Sequence, residues 1–433
     1  MDLKVHDSED SFLKNLLLGF QHLLAMYSGD ILIPILIGAA LNFSAKEMTY
    51  LISVDIFMCG VATLLQIKRT PMTGIGLPVV LGSAVEYVTP LQNIGHHYGI
   101  AYMYGGIIAA GIFILVISKF FAKLKRFFPP VVTGSLITLI GFTLIPVAFQ
   151  NIGGGDATAK GFGGATDLIL GFTTALIIVL INILGKGFIK QISVLIGIVV
   201  GSVMAAFMGT MGLSSVHDAH WFQIPIPFYF SAPKFEWSSI LIMILAALTC
   251  MIESTGVYYA LAEITKRELN EKDLQHGYAS EGIAAILGGI FNTFPYSTFS
   301  QNVAIVQLSG IKKNKPVYFS AFLLILLGLI PKVGAIATLI PTSVLGGAML
   351  IMFGTVGAEG IKMLTKVRMD NNNLLIMAVA IGLGLGVTVQ PTLLHILPSS
   401  LQTILNNGLV VGSFAAILLN ILLNPQGEKK FHS

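Results

Sequence analysis

The side chains able to do chemistry in this chain are carboxyls set in apolar sequence. His22, Asp30, Asp55, Glu86, Glu253, Glu281 and Glu359 fall in or beside hydrophobic runs, and no Lys or Arg lies at the centre of one. An ionisable group at the middle of a membrane helix costs roughly 2.5 to 3.5 kcal/mol on insertion scales, so each needs a partner. Acids without basic partners are protonated, bound to a cation, or bonded to the NH groups of a ligand. Glu253 is the sharpest case. The run Leu248-Thr249-Cys250-Met251-Ile252-Glu253-Ser254-Thr255-Gly256 leaves it no opposite charge within helical reach. Glu281, four residues after Gly277 at the expected start of a later span, also reads as functional. His22 suits either a satisfied interior histidine or a proton network. Asp30 either carries protons or fixes helices, and Asp55 suits a protonated carboxyl bonded to a neighbouring helix. Glu86 and Glu359, near expected span ends, read as solvated or interfacial acids.

Gln301-Asn302 is the other concentrated polar feature, and it follows the hydroxyls of Ser297, Thr298 and Ser300. A side-chain amide presents one acceptor and two donors in a plane. Opposed to a carboxylate that accepts NH groups, it defines a slot for a flat, uncharged heterocycle with alternating NH and C=O. If both amides merely capped a half helix, Glu253 would be left unexplained. Other chemistries are excluded. The glycines at 153–155 and 161–164 have no strand before them and no Lys-Ser/Thr after them, so they are turns and not a phosphate cradle. HExxH and Cys- or His-rich ligand spacings are absent, so neither a metal nor a cofactor is expected, and a membrane enzyme is the weak second class. Cys59 and Cys250, both in apolar runs, read as packing residues. A net charge of +4 without basic and aromatic clusters excludes nucleic acid.

Holding such residues apart from water requires membrane-spanning elements, and the composition demands them. The chain has 433 residues, of which 55% are hydrophobic and 11% charged, with mean hydropathy +0.83. Soluble proteins carry about 25% charged residues. The first thirteen residues, acidic in balance, do not resemble a signal peptide, so the first span is expected to stay attached. At about 20 apolar residues per helix, fourteen segments are expected, near 14–40, 48–67, 74–92, 101–118, 129–150, 165–185, 190–209, 238–262, 278–292, 294–310, 315–331, 335–358, 373–391 and 406–424. With both termini in the cytoplasm, this places 21 of the 25 Lys and Arg inside and only Lys46, Lys160, Lys234 and Lys332 outside, as the positive-inside rule requires. The long external joint 210–237 divides seven spans from seven, and an odd number per half inverts the second half. Segments three and ten, with Gly76-Leu77-Pro78 and Phe294-Pro295-Tyr296, are both short and interrupted. Paired broken segments mark a binding site at the middle of the membrane.

The run Phe291-Asn292-Thr293-Phe294-Pro295-Tyr296-Ser297-Thr298-Phe299-Ser300-Gln301-Asn302-Val303-Ala304-Ile305-Val306-Gln307-Leu308-Ser309-Gly310 resembles the signature of the nucleobase-ascorbate transporter family, closest to its bacterial xanthine and uric acid permeases. Gln21-His22, Leu77-Pro78-Val79-Val80-Leu81-Gly82, Glu253 and Glu281-Gly282 extend the resemblance over the whole chain. It implies an all-α polytopic fold of seven plus seven inverted spans with strand-containing broken segments. The core domain would take 14–118 and 238–331, and the gate domain 129–209 and 335–424. It implies a homodimer in the bacterial inner membrane, working by elevator-like motion and driven by the proton gradient. It also implies that Glu253 and Gln301 hold the base, with Asn302 beside them and Ser83, Val85 and Ser300 in the site. Glu281, Glu253 and His22 would serve proton coupling. The expected cargo is a purine base, xanthine before uric acid, with uracil third. An anion carrier of the same architecture and a channel are the rival classes. Three positions depart from the family pattern: Ala304 stands for Gly, Ser309 for Thr, and Val85 for a residue that is often aromatic.

Overall fold

The structure, a computed structural model, describes residues 12–121, 129–209, 219–310, 312–397 and 405–424, with residues 217, 401 and 402 besides. Lys4, Lys123, Lys125, Arg126, Lys429 and Lys430, counted above toward orientation, lie outside the described residues, as do 210–216 and 218 of the long joint.

In lipid, every backbone NH and C=O has to be satisfied within the fold, so the apolar runs become helices. The first run is α1 (Phe12–Asp30) and α2 (Leu32–Ala40), broken at Ile31. α3 (Ala45–Ile67) begins at a reciprocal cap, in which Glu47 donates its backbone N–H to Ser44 Oγ and Ser44 donates its own to Glu47 Oε2. There follow strand β1 (Leu81–Ser83), a 3₁₀ turn over Val85–Tyr87, α4 (Val88–His97) and α5 (Ile100–Ile117). The next four helices are α6 (Pro130–Ile152), α7 (Ala165–Leu184), the short α8 (Phe188–Gln191) and α9 (Ser193–Phe207). The second half runs α10 (Trp237–Thr265), α11 (Glu271–Ile290), strand β2 (Tyr296–Thr298), α12 (Ser300–Ser309), α13 (Lys315–Gly328) and α14 (Pro331–Ala337). It ends with α15 (Thr342–Leu364), α16 (Asn371–Val389) and α17 (Gly408–Leu423). Among the described residues, eight helical stretches are long and apolar enough to cross a membrane, α1 and α2 counting as one. A ninth is added if α13 and α14, bent by 85°, form a single span. The protein is an integral, multi-pass membrane protein.

Small residues decide which helices meet, because apolar side chains gain nothing over lipid and close backbone approach does. A Cβ on Gly111 of α5 would stand 2.7 Å from the carbonyl oxygen of Gly282 in α11, and one on Gly282 would stand 2.8 Å from that of Gly111. Gly60 of α3 lies in the same way against the backbone of Ala321 in α13. α6 and α15 make the most extensive helix pair, with Gly141 against Gly357 and Gly360 against Thr138. α16 and α17 pack beside them over Val132, Leu136, Ile376 and Ala416.

Three expectations change. The span expected from 335 begins instead at Thr342, because Pro331 and Pro341 set off α14 as a separate short helix, whose Gly334 lies against Ser53 of α3. α11 begins at Glu271, capped reciprocally by Asn270 and Asp273, which puts Glu281 in mid-helix and not at its start. Glu86, expected at an interface, is buried. The 3₁₀ turn that follows β1 breaks helical register and carries that side chain inward.

Candidate functional site

β1 and β2 are the centres of the two broken segments, and they meet as an antiparallel ribbon pairing Leu81 with Thr298, Gly82 with Ser297 and Ser83 with Tyr296. Further backbone bonds continue it at both ends, from Ala84 N–H to Pro295 O and from Phe299 N–H to Val80 O, each 3.0 Å. Thr63 of α3 satisfies the flank by accepting the Leu81 N–H at 3.0 Å. This is how non-helical backbone survives at membrane depth: it is enclosed by protein and lines a cavity. Gly82 is required at the crossing, since a Cβ there would run into the Phe299 ring and lie 2.8 Å from Asp30 Oδ1.

The cavity lies where the ribbon ends. Its polar wall consists of Ser83, Glu86, Glu253, Ser297, Thr298, Ser300 and Gln301, and its apolar wall of Gly29, Ile33, Val85, Phe299, Met352 and Val356. Glu253 is half-buried, whereas Ser300 and Gln301 at the start of α12 are exposed. Thr298 donates its hydroxyl to Ser254 Oγ at 3.3 Å, which ties the ribbon to α10 next to Glu253. Met352 and Val356 come from α15.

Five of the expected substrate residues, Glu253, Gln301, Ser83, Val85 and Ser300, therefore line one cavity. Asn302 is not among the lining residues. It is buried and donates its amide to the His22 carbonyl oxygen at 2.9 Å, with His22 Nδ1 3.1 Å away. Helical geometry turns it away from Gln301 and toward α1. Nor does His22 reach the cavity lining. Glu281 sits apart as well: it accepts the Tyr258 hydroxyl at 2.5 Å, and Tyr258 in turn accepts a bond from the Gln66 amide. Asp30 and Asp55 flank Ser83, which donates its N–H to Asp30 Oδ1 at 2.6 Å and its hydroxyl to Asp55 Oδ1 at 2.7 Å. Glu359 is exposed on α15 beside Lys362, as expected of an interfacial acid.

Glu86 is the functional candidate that sequence reasoning misplaced. It is 3% exposed, lines the cavity with Glu253, and its Oε2 has no hydrogen-bond partner among the described residues. The signal was present in its position, three residues after Ser83 in a segment already identified as broken. Phe299 is a second omission, with its ring packed over Gly29 and Gly82. No Lys, Arg or His lines the cavity among the described residues.

Comparison with known proteins gives this geometry its context. Over 422 residues the chain is 52% identical to the "Xanthine permease" of Bacillus subtilis, covering 97% of this chain and 96% of that protein. It is 49% identical to the "Uric acid permease PucK" of the same organism, covering 94% and 95% of the two chains. Among solved structures it is similar to the transmembrane domain of the cyanobacterial bicarbonate transporter BicA, with a TM-score of 0.64 at 15% identity over 94% of this chain and 98% of that one. It is also similar to the murine Solute Carrier 26 family member A9 anion transporter, with a TM-score of 0.65 at 13% identity over 98% and 69%. At such identities the likeness establishes the fold alone. The relatives are permeases and not enzymes. A model described as a permease family matches residues 13–393, and the chain belongs to the nucleobase-ascorbate transporter family.

Proposed function

We propose that the protein imports a purine base, xanthine before uric acid, by proton symport with an elevator-like movement of the site across the membrane. The observation that carries this reading is the convergence of Glu253 and Gln301 on one cavity walled by hydroxyls and the Phe299 ring. There Glu253 accepts ring NH groups, Gln301 pairs with an adjacent NH and C=O edge, and Phe299 offers a face to a flat ring. Glu86 is a further acceptor in the same wall. Two carboxyls in one cleft without a basic neighbour require donors or protons to balance them, which favours an NH-rich ligand over an anion that offers only acceptors. The names of relatives at 52% and 49% identity support purines and leave xanthine and uric acid as the two leading cargoes. Proton coupling is assigned to Glu281 or Glu253, with His22 in the network behind the site.

The finer architecture belongs to the same proposal: fourteen spans with both termini cytoplasmic, in a homodimer in the bacterial inner membrane. α3 packs on α13 and α5 on α11, and an inverted repeat that exchanges spans two with nine and four with eleven makes these two pairs equivalents. A core of spans 1–4 and 8–11 would carry the ribbon and its acids, and a gate of spans 5–7 and 12–14 would present Met352 and Val356. Apolar side chains are what a sliding face between the two requires, since they leave no hydrogen bond to break at each step.

The test is uptake of labelled xanthine into cells expressing the chain, challenged with excess uric acid, uracil, hypoxanthine or sulfate, with and without a protonophore. Uptake that the protonophore stops and only purines compete is expected. Uptake that survives the protonophore and disappears without sodium overturns proton coupling, and the absence of uptake for any base overturns the cargo.

A further inference from the structure

Asp30 at the end of α1 and Asp55 and Cys59 on α3 form a second acidic group that the base slot does not use. Both acids are 0% exposed, and neither lines the cavity. One carboxylate oxygen of each acid and the Cys59 sulfur lie within 4.8 Å of one another. The Oδ1 atoms are well supplied. Asp30 Oδ1 accepts the Ser83 N–H, and Asp55 Oδ1 accepts the hydroxyls of Ser83 and, at 3.1 Å, Tyr296. Among the described residues the Oδ2 atoms are starved: Asp30 Oδ2 has only the Cys59 thiol at 3.5 Å, and Asp55 Oδ2, fully buried, has no hydrogen-bond partner. Among the described residues the titratable groups facing the two acids are Tyr27 from α1, Cys59 from α3 and Tyr296 from β2, and none of these is basic.

Two buried carboxylates this close cannot both stay ionised without a positive charge between them. A hard metal cation would need six or more oxygens, and the group has two underused ones and a soft sulfur. A proton needs only the two oxygens. We propose that Asp30 and Asp55 together hold one exchangeable proton, taken from and returned to water, as a second proton site of this protein linked to the base slot through Ser83. Ser83 is the link because both acids hold it, one by its N–H and one by its hydroxyl, while it also lines the cavity. Loss of the proton leaves two mutually repelling carboxylates gripping one residue of the cavity wall. By linkage, base binding and protonation of the pair then strengthen one another. This coupling rests on the purine reading above, whereas the shared proton does not.

The experiment is infrared difference spectroscopy on the purified full-length protein without any base. The expected result is a protonated-carboxyl C=O band at neutral pH that D30N and D55N both remove and E253Q leaves in place. Bands unchanged in D30N and D55N overturn the proposal, and so does a band that sodium ions erase at constant pH, since a metal cation would then occupy the pair. A second measurement tests the coupling. Xanthine affinity of the wild type should fall about tenfold more than that of D55N as the pH rises from about 6 to about 8.5. Equal pH dependence in the two proteins overturns the link through Ser83. A wild type that binds no xanthine defeats the purine reading, and the infrared result still decides the proton.

Discussion

Asn302 donates its side-chain amide to the carbonyl oxygen of His22 at 2.9 Å, and so joins α12 to α1 across 280 positions of sequence. A residue expected beside the base is thus a strut between two helices, outside the cavity lining. N302A is expected to lower stability by about 1–3 kcal/mol, the penalty for unmet buried polar groups, with a smaller change in xanthine affinity. Melting of the detergent-purified protein alongside binding checks this, and unchanged melting with lost binding would return Asn302 to the site.

Glu253 and Glu86 share one cavity but enter it from different elements, α10 and the turn after β1. E253Q should abolish uptake while leaving membrane insertion intact, since it turns an acceptor of NH groups into a half donor. E86Q should weaken binding by about tenfold, or about 1.4 kcal/mol. Equilibrium binding of labelled xanthine to both purified variants measures the difference, and wild-type affinity in E253Q would falsify the slot.

Val85 lines the same cavity with an aliphatic side chain. V85F adds a stacking face worth about 1–3 kcal/mol for a nucleobase. The expected outcome is a change in the ratio of xanthine to uric acid competition during uptake. An unchanged ratio would show that Val85 does not meet the ring.

Gly82 lies at the centre of the ribbon with the Phe299 ring over it. G82A has to displace either that ring or Asp30, so transport should drop to background while the protein still reaches the membrane. Uptake normalised to surface expression is the measurement, and wild-type rates would show that the ribbon tolerates a methyl.

Asp273 is 4% exposed and pairs with both Arg69 and Arg267, and Arg267 also donates to Gly76 O at 3.0 Å. These bonds tie the start of α11 to the loop between α3 and β1. D273N should cost about 1 kcal/mol, because the Arg69 and Arg267 side chains are 54% and 27% exposed and water screens both pairs. A melting midpoint in detergent that does not move would refute this.

Hydropathy made the helices legible, because lipid leaves a backbone no other way to satisfy its polar groups. The broken segments could be read from Pro78 and Pro295, which lack the N–H a helix needs, in short runs that also carry glycine and hydroxyl residues. Glu253 and Gln301 stood out as polar groups with no local partner. Glu86 was misjudged because a three-residue strand followed by a 3₁₀ turn has no periodicity from which to predict the direction of a side chain.

A membrane-embedded fold of apolar helices, a pair of interrupted segments and a short set of acids without local partners follow from composition and the cost of burying charge. Which acids share a site depends on contacts between distant parts of the chain. Glu86 joins Glu253 at the cavity, Asp30 joins Asp55 around Ser83, and Glu281 goes to Tyr258. The reason is geometric. The ribbon between β1 and β2 and the glycine contacts between helices bring together residues far apart in the chain, and the spacing along any one segment carries no trace of that distance.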